Sequence, residues 1–372
     1  MDTIEINRLL ADEKKFVGAF ALDKLPKKKI KVPASFIINN DVSSKKGDHW
    51  LGLVLTKNGA FYFDSFGLPI LDKQILNFLS RQRYRKVIYS TKGLAQRLRS
   101  EGKNSPADVV LTVDIGRLYI YQDLELLSSV NSEKLLKNIP SHLRSSDNTW
   151  FGLSKRARII VTSKDRVNKG AITRIEDLAD SRWKGKICTR PGSHVYSRAL
   201  MSSMIAEHGL EKAEKWAKGL VSNLARRPQG NDRAQVKAIF EGQCDVAIIN
   251  NYYFGKLKYS DIEEQRDWAN SLNLVFPNQS ETDRGAHINI SGGGVAKYSK
   301  NKDSAVKLLE FLTDEFAQKL YGEINFEYPV NLKVEPSEEL KSWGAFKEDK
   351  LPILRIAELS REAQKIIDRV GW

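Results

Sequence analysis

The sequence predicts an α/β fold, and three stretches predict it. Val246-Ala247-Ile248-Ile249 is small and β-branched, reads as a buried strand, and follows an amphipathic helix pattern over 234–240. Residues 108–113 repeat the arrangement: Leu94 and Leu98 share a helix face, Gly102 and Asn104-Ser105-Pro106 break it, and an apolar strand follows. Arg158-Ile159-Ile160-Val161-Thr162, led in by Trp150 to Gly152, encloses a third buried run. Open α/β sheets take ligands at the carboxyl ends of their strands. That rule directs attention to Asn250-Asn251-Tyr252-Tyr253, which reads as the loop after the 246–249 strand.

At 372 residues, with 41% apolar content and no long low-complexity tract, the chain can bury a core and should form two or three globular units. Its net charge of +14 is uneven, since residues 1–92 hold 17 Lys+Arg against 9 Asp+Glu. Such an excess favours nucleic acid or anionic membrane in general. No nucleic-acid module accompanies it, so nucleic acid is not an expected partner, and Lys27-Lys28-Lys29-Ile30-Lys31 reads as a solvated loop. No stretch approaches the roughly 18 to 20 apolar residues of a transmembrane helix. The start, MDTIEINRLLADEKK, carries acids from residue 2 and lacks an apolar core with a small-residue cleavage site, so as written the chain is expected in the cytoplasm. Two cysteines, Cys188 and Cys244, are too few for a disulfide scaffold or an all-cysteine zinc site. Each lies beside a predicted strand, where one disulfide and two packing thiols are equally open.

Residues 1–80 form one compositional unit. Phe16-Val17-Gly18-Ala19-Phe20, Ala34-Ser35-Phe36-Ile37-Ile38-Asn39-Asn40, Trp50-Leu51-Gly52-Leu53-Val54-Leu55 and Ala60-Phe61-Tyr62-Phe63-Asp64 read as short strands, the last two flanking the hairpin-type turn Lys57-Asn58-Gly59. Residues 73–79 look helical. GDHWLGLVL (47–55) followed by FYFDSFG (61–67) resembles the histidine and acid segments of the adenovirus-type cysteine proteases, the adenain-like family. The resemblance implies a small α+β fragment with His49 as base and Asp64 as the acid that orients it, because an imidazole must be held in one tautomer before it deprotonates a thiol. The next cysteine is Cys188, far beyond the place where that family carries its nucleophile. The pair is therefore expected to be vestigial, and the chain is not expected to be an enzyme.

QRYRKVIYSTKG, residues 82–93, is the seam, and its strand suits either neighbour. Beyond it, 124–136 looks helical and Ile175-Glu176-Asp177-Leu178 opens another helix. In CTRPGSHVYSRALMSSMIAEHG, 188–209, Leu200, Met204 and Ile205 share a helix face, after a loop, Arg190-Pro191-Gly192-Ser193, that delivers Tyr196 near the helix start. His194 and His208 lack ligand spacing and read as surface residues. Asp232 is expected to cap the helix over 234–240. Residues 272–277 form a strand, and the triple glycine of HINISGGGVAKYSKN (287–301) reads as a turn; it is no phosphate loop, because no Lys-Ser/Thr follows at the needed spacing. Residues 303–312 and 315–321 are helical, Tyr328 reads as packing, and 343–372 is loop plus helix.

GNDRAQVKAIFEGQCDVAIINNYYFGKL, residues 230–257, resembles the tyrosinate-bearing segment of the bacterial periplasmic ferric-ion-binding proteins, the solute receptors of iron ABC transporters. Residues 94–118, 188–209 and 325–330 carry the same likeness, which covers 93–372 in all. It implies a two-lobed type II periplasmic-binding-protein-like architecture behind the head segment 1–92: lobe one at 93–155 and 296–372, lobe two at 156–295, joined by two crossover strands. It implies iron(III) held by the phenolates of Tyr196, Tyr252 and Tyr253, an inner-membrane permease as partner, a monomer, and the periplasm. The start of the helix bearing Tyr196 suits a synergistic anion, with Ser193 and Arg190 as its candidates. Iron(III) is small, hard and triply charged, so anionic oxygen ligands suit it and three phenolates cancel its charge. The metal itself depresses their pKa from about 10. Cys/His signatures of haem and zinc are absent. The family's first-lobe ligand lies ahead of the matched text, so weakened binding and poor closure are expected, and the chain reads as a fusion of two sources.

Overall fold

The computed structural model describes residues 94–372 throughout and, before them, 3–13, 15–39, 43, 50–57, 59–64, 73–84 and 87–90. The chain divides into two compact units, Met1–Ser100 and Glu101–Trp372. The seam thus falls at 100/101 and not at 92/93.

The first unit holds helices α1 (Thr3–Leu9), α2 (Lys73–Arg81) and most of α3 (Leu94–Glu101), with strands β1 (Phe16–Ala21), β2 (Ala34–Asn39), β3 (Trp50–Thr56), β4 (Gly59–Asp64) and β5 (Val87–Ser90). The five strands pair in sequence order. β1 runs parallel to β2 and β4 parallel to β5, while the two middle pairs are antiparallel. Alternation decides which face is buried: Ala34, Phe36 and Ile38 of β2 meet Leu53 and Leu55 of β3 and the Ile75, Phe78 and Leu79 face of α2. The strand in 82–93 completes this sheet. His49 lies outside the described residues, as does the side chain of Asp64, whose backbone ends β4 opposite Leu51.

In the second unit the strands are β6 (Val109–Val113), β7 (Leu127–Ser128), β8 (Phe151–Ser163), β9 (Ile187–Cys188), β10 (Val246–Asn250), β11 (Leu272–Val275) and β12 (Ile288–Ala296). The helices are α4 (Ile115–Asp123), α5 (Glu133–Asn138), α6 (Val195–Ser222), α7 (Asp232–Phe240), α8 (Asn251–Lys258), α9 (Glu263–Asn270), α10 (Lys302–Leu312), α11 (Glu315–Ile324), α12 (Glu338–Ser342), α13 (Ile353–Glu358) and α14 (Ser360–Val370). The organising strand is β8, all of it buried. Residues 151–157 pair with β12, and 158–163 pair with β10 and β11, so two sheets share one strand. This is the mixed α/β, two-lobed layout of the periplasmic binding proteins.

Several expectations are corrected. The triple glycine lies inside β12, between β6 and β8, where a Cβ on Gly292 or Gly293 would meet the carbonyl of Phe151 or Val110 at 2.6 and 2.5 Å. Close backbone approach, and no turn, demands those glycines. Residues 124–136 are a two-residue strand and a short helix instead of one helix, and 176–179 is a single 3₁₀ turn. Gly209, at φ +76°, breaks α6 without ending it. Asp232 does not cap α7; Asn231 does, accepting the amide of Ala234 at 3.1 Å, while Asp232 is fully buried. Nor does the whole tail belong with lobe one. Ala363, Ile366, Ile367 and Trp372 pack with Leu200, Met204 and Trp216 of α6 in the core that also contains Val246 and Ile248 of β10. The amphipathic face of α14 finds its apolar partner there.

Candidate metal centre

The strand β10 carries the chain to Asn250, and the next residue begins α8. Tyr252 and Tyr253 therefore stand in the first turn of a helix and not in a loop. Asn251 anchors that turn: its side chain accepts the Ala157 amide at 2.8 Å and donates to the Phe326 carbonyl at 2.8 Å, and a side chain so engaged fixes where the helix starts. Tyr196 is likewise in the first turn of α6, capped by His194, whose Nδ1 accepts the Tyr196 amide at 3.2 Å. His194 is thus a helix cap, half-buried, not a plain surface residue. Burial, with Arg190 and Arg158 behind it, holds its pKa down to about 3 and keeps the ring a neutral acceptor.

These two helix starts meet. The Tyr252 hydroxyl donates to that of Tyr196 at 3.1 Å across 56 residues of sequence. The rings of Tyr252 and Tyr253 lie 4.5 Å apart. Burial pushes the Tyr252 phenol well above its usual pKa, with Tyr196 and Tyr253 adding to the shift and Arg156 opposing it. Tyr253 is raised by burial and by Asp232. Without a bound cation both therefore keep their protons, and a multivalent cation that displaces them would gain anionic oxygens.

Around the phenols stands a buried charge network. Asp232 accepts from Arg158 at 2.8 Å, from Arg190 at 2.9 Å and from the Asn250 amide at 2.8 Å. Arg190 and Arg156 lie over the Tyr196 ring at 5.0 and 5.2 Å, and Lys256 lies 5.8 Å from the Tyr252 ring. Arg156 donates to Ser291 at 3.1 Å and faces Glu327 at 3.9 Å, yet its buried Nε and Nη2 have no partner. Burial opposes its charge, but Tyr196, Tyr252 and Glu327 outweigh burial and raise its pKa. Of the two anion candidates, Ser193 is exposed on the loop ahead of α6 and Arg190 has one Nη committed to Asp232. Arg156, Asp232 and Lys256 were missed in the sequence. Their one readable signal was Lys155-Arg156-Ala157-Arg158, cations inside an otherwise apolar strand, which burial tolerates only when paired.

Cys188 and Cys244 form a disulfide, their Cα atoms 5.9 Å apart. That settles the open alternative and leaves no thiol in the chain. Among the described residues no three His, Cys, Asp or Glu side chains converge on a common point. His208 pairs with Glu176 at 2.9 Å, and Tyr328 packs against Phe346 with ring centroids 5.0 Å apart.

An α/β fold whose two sheets share one strand, with phenols and buried charges gathered at helix starts, is that of a solute-binding receptor. Residues 104–348 match the model of the family described as bacterial extracellular solute-binding protein, and the chain belongs to that family. Iron uptake protein A1 of Synechocystis is 42% identical over 279 residues, 75% of this chain and 77% of that protein. The major ferric iron-binding protein of Neisseria meningitidis is 27% identical over 289 residues, 76% of this chain and 83% of that protein. Among solved structures, apo ferric ion-binding protein A of Pasteurella haemolytica superposes with a TM-score of 0.71 at 45% identity, over 80% of this chain and 92% of that one. The Trichodesmium protein in complex with iron and citrate gives 0.73 at 43% identity, over 82% and 98%. The family match begins at residue 104, in the second unit.

Proposed function

We propose that the chain is the iron(III) receptor of an ABC-type iron transporter, holding the metal through the phenolates of Tyr196, Tyr252 and Tyr253 and passing it to a membrane permease. The carrying observation is the 3.1 Å contact between Tyr196 and Tyr252, two phenols brought together at two helix starts beside Tyr253. Three phenolates neutralise a triply charged ion, and the unpartnered nitrogens of Arg156 suit a carboxylate-type anion as co-ligand, a better candidate than Ser193 or Arg190. The cleft between residues 101–155 with 296–359 and residues 156–295 with α14 is where closure would take place. We place the receptor outside the cytoplasm, where an oxidising medium preserves the Cys188–Cys244 bridge. The adenain-like text of the head, with His49 and Asp64, is read as vestigial, because both cysteines of the chain lie in that bridge.

The test is the visible spectrum of the purified chain titrated with ferric citrate, beside Tyr252→Phe/Tyr253→Phe. A phenolate-to-iron charge-transfer band that the variant loses supports the reading; no band in the intact chain refutes it. Because the free phenols of Tyr252 and Tyr253 are protonated, capture releases protons. Affinity should rise with pH by up to about tenfold per pH unit for each phenol deprotonated, and fall correspondingly on acidification.

A further inference from the structure

The lysine run of the basic head segment is separate in sequence from the residues of the candidate metal centre, and its backbone is held in a fixed arrangement. Ile30 and Val32 pack against the core of the first unit, which turns Lys27, Lys28, Lys29 and Lys31 outward. Gln82, buried just past the end of α2, then clamps the loop: its Nε2 donates to the Lys28 carbonyl at 2.9 Å and its Oε1 accepts the Ile30 amide at 2.9 Å. Every cation concerned is at one of these contact points or one residue from it. Lys28 is clamped directly, Lys27, Lys29 and Lys31 adjoin the clamped positions, and Arg81 and Arg83 flank Gln82.

The α2 terminus is equally defined. The Tyr84 amide donates to the Leu79 carbonyl at 3.0 Å and the Arg83 amide to the Ser80 carbonyl at 2.9 Å, the two bonds of a Schellman motif. Its left-handed position, which favours glycine, is occupied by Arg83 at φ +66°. A cation at a helix end relieves the helix dipole, which accounts for Arg81. It does not account for four outward lysines on the facing loop. Among the described residues none of the six cations is in an ion pair, and Asp23, the acid next to the run, is turned to Ser43, from which it accepts two bonds of 2.6 Å. Residues 1–100 carry 19 Lys+Arg against 9 Asp+Glu, so nothing in the unit's overall charge offsets the face. The lysine run is thus the solvated loop expected from its sequence, with its backbone held in place.

We propose that this face docks the chain on a bilayer surface rich in anionic phospholipid. Lysines, four of the six, are point charges that meet headgroup phosphates without demanding a fixed geometry. Single-stranded nucleic acid needs aromatic platforms, and Tyr84, the aromatic beside the clamp, points inward to donate to the Thr56 carbonyl at 2.7 Å. Duplex readers insert a helix or ribbon into a groove, whereas these cations sit on a loop and a helix end.

The experiment is flotation of the full chain with phosphatidylcholine vesicles containing or lacking phosphatidylglycerol, at low and high salt, with duplex DNA as competitor. Binding should require phosphatidylglycerol, weaken with salt as exposed charges are screened, and fall at least about tenfold in Lys27→Glu/Lys28→Glu/Lys29→Glu/Lys31→Glu. The milder Lys27→Gln/Lys29→Gln, folded by its circular dichroism, should fall by a smaller factor in the same direction. Absence of binding at low salt, binding that both variants retain, or displacement by DNA in preference to vesicles would each overturn the proposal.

Discussion

Two segments carry the tyrosines to the proposed metal centre, and they are held by different means. Both leave one end of the Cys188–Cys244 bridge, and in both a tyrosine follows eight residues later in the first turn of a helix. The Cys244 arm is β10, paired with β8 along its whole length and with β9 at its start, so a backbone ladder sets Tyr252. The Cys188 arm has two residues of strand and then leaves the sheet. It is held by isolated contacts instead: Arg190 on Asp232, the Trp372 indole on Thr189 at 3.0 Å, the Gly192 amide on the Trp372 carbonyl at 3.2 Å, the Gln229 amide on the Thr189 carbonyl at 3.3 Å, and the His194 cap. Gly192 is required there, since a Cβ would come within 2.8 Å of both Trp372 and Ile367. A ladder tolerates loss of any one side chain, whereas an arm held by isolated contacts is exposed to the loss of each.

The sharpest way to break this contrast is Asp232→Ala, which strips the counter-charge from two buried arginines and the acceptor from the Asn250 amide. A loss of about 3–5 kcal/mol is expected in denaturant unfolding. A loss below about 1 kcal/mol would mean that the arginines find other partners and that Asp232 does not tie the arms together. Next in size is Cys188→Ala/Cys244→Ala. It should cost about 2–4 kcal/mol, largely through the unfolded chain, while the iron band keeps its position because each arm retains its other restraints. A displaced band would show that the bridge positions the phenols as well. The smallest effect belongs to Trp372→Phe, which keeps the ring against Trp216 and removes only the donor to Thr189. About 1 kcal/mol is expected, with a shift in the iron spectrum if the Cys188 arm depends on each of its isolated contacts; an unchanged spectrum would leave that dependence to the contacts that remain.

The ladder-held arm was also the one most legible in the sequence. Val246-Ala247-Ile248-Ile249 announces a buried strand by its composition, and the tyrosine pair follows it directly. The phenol triad was readable through resemblance, but its helical setting was not, because Asn250-Asn251 reads as a loop until Asn251 is seen to bridge Ala157 and Phe326. Asp232 looked like a cap for the same reason: cap and buried counter-ion demand the same short acid, and only the positions of Arg158 and Arg190 separate them. The glycine triplet misled because turn and close strand approach both require a missing side chain. Placement of the tail failed on a fourth count. Its amphipathic pattern shows that α14 buries one face but not against which helix.

The thirteen-residue strand β8 has a consequence for how this unit comes apart. Its first half belongs to one sheet and its second half to another, so melting either sheet frees one end of the strand that the other pairs with. The lobes of such a receptor are often pictured as two bodies on a hinge, yet for unfolding they form one cooperative block. Its amides, buried along the entire length and paired on both sides over the second half, are the ones that only global opening will expose to exchange.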